Sequence, residues 1–155
     1  MTTATCSTVL DQPPETVWAL IRDFDNYPAY IEGVTESVIE DGRRGDEVGA
    51  VRRFRYGDAW LRQRLEAHSD AERYLTYAGL EPFAYPDGLQ ARTPSPAVYR
   101  GTIRLRPVSD GDRSFLEWSV TVEAPAEDAS AWQSLLSGLI ADWAGSLRRA
   151  LARGA

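Results

Sequence analysis

The sequence contains no lysine: all 17 of its basic residues are arginine. That absence removes Schiff-base catalysis through a lysine amine. No local chemistry demands arginine everywhere at once, so the bias reads as codon usage in a GC-rich genome. Cysteine is almost as scarce. With Cys6 alone, neither an internal disulfide nor a thiolate metal cluster can form within one chain. His68 is the single histidine, and no His, Cys or carboxylate group shows metal-ligand spacing. Glycine pairs fall in turns, so no phosphate cradle is indicated and no cofactor is expected. Basic charge is also in deficit: 23 acidic residues give a formal net charge of −6, which disfavours a nucleic-acid partner. No stretch approaches the roughly 20 apolar residues of a membrane span, so membrane insertion is not expected. Residues 1–7 lack a basic start followed by an apolar run. No signal peptide is expected, and a cytoplasmic location follows as the default.

What is present is a globular composition. The 155 residues are 43% hydrophobic and 26% charged, enough for one domain over 1–155 with a sizeable core. Five Trp and seven Tyr supply rings for core and pocket walls.

Residues 3–10 are small and β-branched and predict a first strand. Asp11-Gln12-Pro13-Pro14-Glu15 predicts a helix start, and Val17, Trp18, Leu20, Ile21 and Phe24 carry its apolar face. Asp25-Asn26-Tyr27-Pro28 breaks it, leaving at most a short second helix at 29–31. The period then changes to two, with strands expected at 34–41, 48–56, 60–68, 72–80, 97–107 and 114–123. Turn residues such as Gly57-Asp58 and Asp110-Gly111 join them as an antiparallel meander. The loop 81–96, with four prolines plus Phe83 and Tyr85, has the length of a functional lid. From about 130 to 151, Trp132, Leu135, Leu136, Leu139, Ile140, Trp143, Leu147 and Leu151 form one helical stripe.

This order resembles the START-like, helix-grip superfamily, and within it the polyketide cyclase/dehydrase branch. The resemblance rests on Pro14 to Tyr30, Gly49-Ala50-Val51-Arg52, Arg64-Leu65-Glu66-Ala67, Leu75-Thr76-Tyr77 and Leu116-Glu117-Trp118-Ser119. It implies an α+β domain in which a curved antiparallel sheet of about seven strands surrounds a long C-terminal helix. Two short helices would follow strand one. It also implies an interior holding a hydrophobic small molecule, in a monomer or homodimer. The aromatase/cyclases of this group carry an inward arginine with no counterpart on 60–68, where Gln63 stands.

In that architecture, alternation sorts the side chains. Tyr99, Gly101, Ile103 and Leu105 are expected inside, as are Leu116, Trp118, Val120 and Val122. So are Leu61, Gln63, Leu65 and Ala67, then Leu75, Tyr77 and Gly79. Arg52, Phe54 and Tyr56 share the inner face of their strand, which buries a guanidinium that needs acceptors. Gln63 and Thr35 are the polar candidates nearby. Glycines at 79 and 101 imply open space beneath the sheet. His68 is expected on the solvent face, so His68-Ser69-Asp70 is no triad.

The resemblance implies an enzyme promoting cyclisation, dehydration or aromatisation of a carbonyl-rich substrate without a cofactor. Arg52 would stabilise developing negative charge, Tyr99 and Tyr77 would donate protons, and Gln63 would position. Phe54, Tyr56, Leu61, Leu65, Phe83, Tyr85, Trp118, Leu139 and Trp143 would line the substrate site. The alternative for Arg52 is a structural role, and for each tyrosine and for Trp143 a place in the core. The rival function is a carrier or sensor of a lipid or quinone, since ubiquinone-binding START-like proteins share a segment similar to Asp23–Pro28. A third is protein interaction, as in co-chaperones of this fold.

Overall fold

The computed structural model describes residues 1–81 and 99–154. The expected lid, with Phe83 and Tyr85, lies outside the described residues apart from Glu81. β1 (Thr2–Leu10) leads to α1 (Pro14–Ile21) and α2 (Tyr27–Tyr30). Pro14 opens α1 where the missing N–H costs nothing, and Val17, Trp18, Leu20 and Ile21 bury its inner face. The meander follows: β2 (Val34–Ile39), β3 (Val51–Tyr56), β4 (Ala59–Ser69), β5 (Tyr74–Gly79), β6 (Tyr99–Val108) and β7 (Arg113–Val122). α3 (Ala129–Ala152) ends the chain.

The seven strands form one antiparallel sheet in the order β1-β7-β6-β5-β4-β3-β2. Only the first strand is out of sequence, because the two short helices intervene before the meander begins. Burial alternates along β6 and β7 as the period of two demands: Tyr99, Gly101, Ile103 and Leu105 are inside, as are Leu116, Trp118, Val120 and Val122. The core lies between this concave face and α3, whose Trp132, Leu136, Ile140, Trp143 and Leu147 are buried. This is the expected architecture, with strand ends differing by one to three residues.

The last turns of α3 are tied to distant parts of the chain. Buried Ser146 donates its hydroxyl to Tyr30 O (2.7 Å) and accepts the Glu32 N–H (2.7 Å). Arg149 forks onto Glu32 (2.6 and 3.0 Å), and Arg148 reaches Val9 O and Thr8 Oγ1.

Alternation fails at one place on β4. Leu65 pairs with Tyr77, but Ala67 pairs with Thr76, so an extra residue sits between them. Such a bulge shifts the phase by one, turning the following side chains to the other face. His68 therefore points inward, its side chain only 6% exposed, and not to solvent as alternation predicts. Its ring leans on Trp18 with centroids 5.4 Å apart, and Nε2 lies 3.2 Å from Arg22 O. Ser69 accepts the Glu72 N–H in the next turn, so the His-Ser-Asp run does not converge as a triad.

Candidate functional site

β3 and β4 are in register with Arg52 opposite Gln63, which places the two polar inner side chains side by side. Arg52 is 1% exposed. Its Nε and Nη2 both donate to Gln63 Oε1, at 3.0 and 2.6 Å, and Nη1 donates to Phe24 O at 3.3 Å. Gln63 passes the chain on, its Nε2 donating to Tyr99 Oη at 3.0 Å. The line Arg52–Gln63–Tyr99 crosses the concave face from β3 toward β6. Beside it, Trp118 Nε1 donates to Tyr77 Oη at 3.2 Å, and Trp118 stacks on Trp143 with centroids 5.6 Å apart.

Two rings that the sequence reading left out complete the surroundings of Arg52. Phe24 lies 3.9 Å from the guanidinium carbon, and Tyr27 3.7 Å, with Phe54 and Tyr77 farther out at 5.3 and 5.2 Å. Ring faces stabilise a desolvated cation, and arginine suits this place because its flat head stacks while its edge bonds. Among the described residues no carboxylate comes within ion-pair distance of Arg52. Thr35, offered above as a partner, is exposed on β2, where a register shift between Val34 and Glu36 interrupts pairing. The signal for Phe24 and Tyr27 was their spacing of three across the α1–α2 break. Nothing local said what they would cover.

Burial dominates the electrostatics. It pushes the Tyr99 hydroxyl up to about 12 against the pull of its Gln63 bond. It carries Tyr77 well above the ordinary tyrosine value, although the Trp118 bond opposes it. Tyr27 and Tyr30 rise for the same reason, with nearby Arg52 pulling them back. These four hydroxyls stay protonated at neutral pH. Asp25 also rises, by burial first, although it accepts the Ser37 hydroxyl at 2.9 Å.

The structure brings Arg52, Gln63, Tyr77, Tyr99, Phe54, Leu61, Leu65, Trp118 and Trp143 together in the buried interior, with Leu139 partly buried at its edge. Tyr56 is a correction. It is 38% exposed at the end of β3, against Gly33, because alternation ends at the hairpin. The glycine expectation is a second correction. A Cβ on Gly79 would overlap the Tyr99 ring, and one on Gly101 the Tyr77 ring. Tyr77 lies directly opposite Gly101 across β5 and β6. These glycines seat the protein's own rings and leave no open space there. Grooves of about 470 and 350 Å³ lie elsewhere, beside Glu15, Thr16, Ala19 and Leu20 on α1, and along Thr76, Arg100, Thr102, Ser119 and Thr121 on the outer sheet face. Among the described residues no His, Cys, Asp and Glu cluster converges to hold a metal ion, and no helix is long and apolar enough to cross a membrane.

A seven-stranded sheet gripping a long C-terminal helix, with a polar line buried between them, defines a START-like helix-grip domain. The chain belongs to the polyketide cyclase/dehydrase and lipid transport family, whose model matches residues 1–153. Among solved structures it is similar to an uncharacterised protein from Bacillus thuringiensis, with 26% identity, 96% of this chain and 97% of that chain covered, and a TM-score of 0.75. A START superfamily protein from Mycobacterium smegmatis shares the fold at 13% identity, with 99% of each chain covered and a TM-score of 0.74. The di-domain aromatase/cyclase BexL of the BE-7585A biosynthetic pathway does so at 17% identity and a TM-score of 0.72. The match covers 98% of this chain and 47% of that one. No curated protein matches the sequence.

Proposed function

We propose that the chain binds a hydrophobic, carbonyl-rich small molecule against the Arg52–Gln63–Tyr99 line and promotes its cyclisation, dehydration or aromatisation. The observation that carries this reading is the buried guanidinium of Arg52, whose hydrogen bonds among the described residues go to neutral acceptors. A desolvated cation without an anion is costly, and a developing enolate is the charge it would stabilise. Family membership and the fold shared with an aromatase/cyclase point the same way. Arg52 would bind the enolate oxygen. Tyr99 and Tyr77 would add hydrogen bonds, and Trp118, Phe54, Leu61, Leu65 and Trp143 would be walls that exclude water. With their hydroxyls held protonated, the tyrosines serve as hydrogen-bond donors and not as bases near neutral pH.

That same protonation favours a second reading, a non-catalytic carrier of a lipid or quinone, because the line holds no group poised to move a proton. Native mass spectrometry of the freshly purified protein tests both. A co-purified small molecule, lost in Arg52→Met, is expected. Its release after incubation with the mass of one water missing, or with the same mass and an altered fragmentation pattern, marks an enzyme, and release with both unchanged marks a carrier. A wild-type protein that never carries a small molecule, from any expression host, rejects both.

A further inference from the structure

We propose that the outer face of the sheet at its β2–β4 margin, centred on Trp60 and Arg53, docks the protein on a bilayer containing anionic phospholipid. This surface lies on the far side of the sheet from α3 and is independent of the interior ligand site.

Strand register assembles the patch. Val38 lies opposite Arg53, and Arg55 lies opposite Trp60. Directly paired residues share a face, and Arg52 and Phe54 take the inner one, so these four side chains point outward. Val38 is 47% exposed and Trp60 46%, whereas Trp18, Trp118, Trp132 and Trp143 are all buried. The Arg53 guanidinium lies over the Trp60 ring, 5.1 Å from its centroid. Tyr56, also exposed, flanks the same hairpin from its other face.

The charges here are not paired off. Arg53 stands directly opposite Arg62, a like-charge pair that is unfavourable by itself. Glu40 takes Arg62 at 2.8 Å. Among the described residues no carboxylate lies within ion-pair distance of Arg53, or of exposed Arg64 two residues along β4. Arg55 has only the exposed Asp58, at 3.8 Å. The chain as a whole carries −6, so the acidic excess lies on other surfaces and leaves this one free to face negative charge.

An indole, an aliphatic side chain and unpaired guanidinium groups are satisfied together at one kind of surface. At the headgroup level of a bilayer the indole finds its preferred depth, phosphates pair with arginine, and Val38 reaches acyl carbon. A nucleic acid offers phosphates and a stacking face but nothing for Val38. A second copy would set these arginines against their own images about a two-fold axis.

Because Trp60 is the exposed tryptophan, its emission reports the contact. Vesicles of phosphatidylcholine with about one-third phosphatidylglycerol, at low salt, should shift the emission to the blue and shield it from acrylamide. Co-sedimentation with pure phosphatidylcholine vesicles should be roughly tenfold weaker. Trp60→Ser should lower binding to the anionic vesicles about tenfold. Arg53→Gln with Arg55→Gln should do the same and erase the difference between the two lipids. An emission that does not move with anionic vesicles, or co-sedimentation unaltered by either variant, overturns the proposal. A shift that follows single-stranded oligonucleotide or rising protein concentration, and not vesicles, also overturns it and assigns the face to nucleic acid or to a second copy. None of these readouts depends on a ligand in the interior.

Discussion

Arg52 and Arg62 lie one residue out of register on adjoining strands and occupy opposite faces of the sheet. Arg62 lies outside, forked onto the Glu40 carboxylate at 2.8 and 2.9 Å, and Arg149 on Glu32 repeats the pattern. Arg52 lies inside with an amide, a carbonyl and two ring faces as its company. Exposed ion pairs contribute little to stability, because water already solvates both charges. A buried cation among neutral groups is the costlier arrangement, and its retention calls for a reason other than stability.

Breaking the inner arrangement should have the largest effect. Arg52→Ala strips both rings of their stacking partner and leaves Gln63 Oε1 without donors, so a loss of about 2–4 kcal/mol is expected in urea denaturation. Removing both partners sharpens the point. Arg52→Met with Gln63→Leu should cost less than Arg52→Ala, since the two partners leave together and only Tyr99 Oη and Phe24 O lose a donor, yet lose ligand. A double variant that keeps full binding would place Arg52 in a purely structural role.

The tyrosines around Arg52 supply a pH signature. Their folded-state values lie above the ordinary 10, Tyr99 at about 12. The unfolded chain therefore loses these protons first as pH rises. The stability they lend is complete below pH 10 and declines as pH climbs through the folded values. Absorbance at 295 nm should show at least four tyrosines failing to ionise until the fold gives way, and Tyr99→Phe should soften the decline. At the acid end the sign reverses. Arg22 and Trp18 hold Asp70 at about 2, below its usual 3.8, so its contribution is present above pH 3.8 and fades toward pH 2. Asp70→Asn should flatten the acid limb of a stability profile. The smallest effect belongs to the outer face: Arg62→Gln should leave the thermal midpoint within the scatter of replicate melts.

The seven strands and the terminal helix were readable because one face of each is buried, so the period of the apolar residues reports the element. Arg52 opposite Gln63 was readable too, once both strands were phased. The bulge on β4 was not, because Glu66 carries no glycine or proline to mark it, and His68 changed faces as a result. The inward glycines misled for another reason. A missing side chain leaves room, but what fills it is decided by the strand across the ladder, and here the rings of Tyr77 and Tyr99 fill it. Phe24 and Tyr27 reach Arg52 from a helix break nearly thirty residues upstream, a contact that no local pattern encodes.

The bonds of Ser146, Arg148 and Arg149 are all made from the last turns of α3, to β1 and to the stretch around Tyr30–Glu32. Near the start of the same helix, Gln133 Nε2 donates to Thr3 O at 3.4 Å. β1 and the helix are thus fastened at two separated points, which resists a pivot about either one.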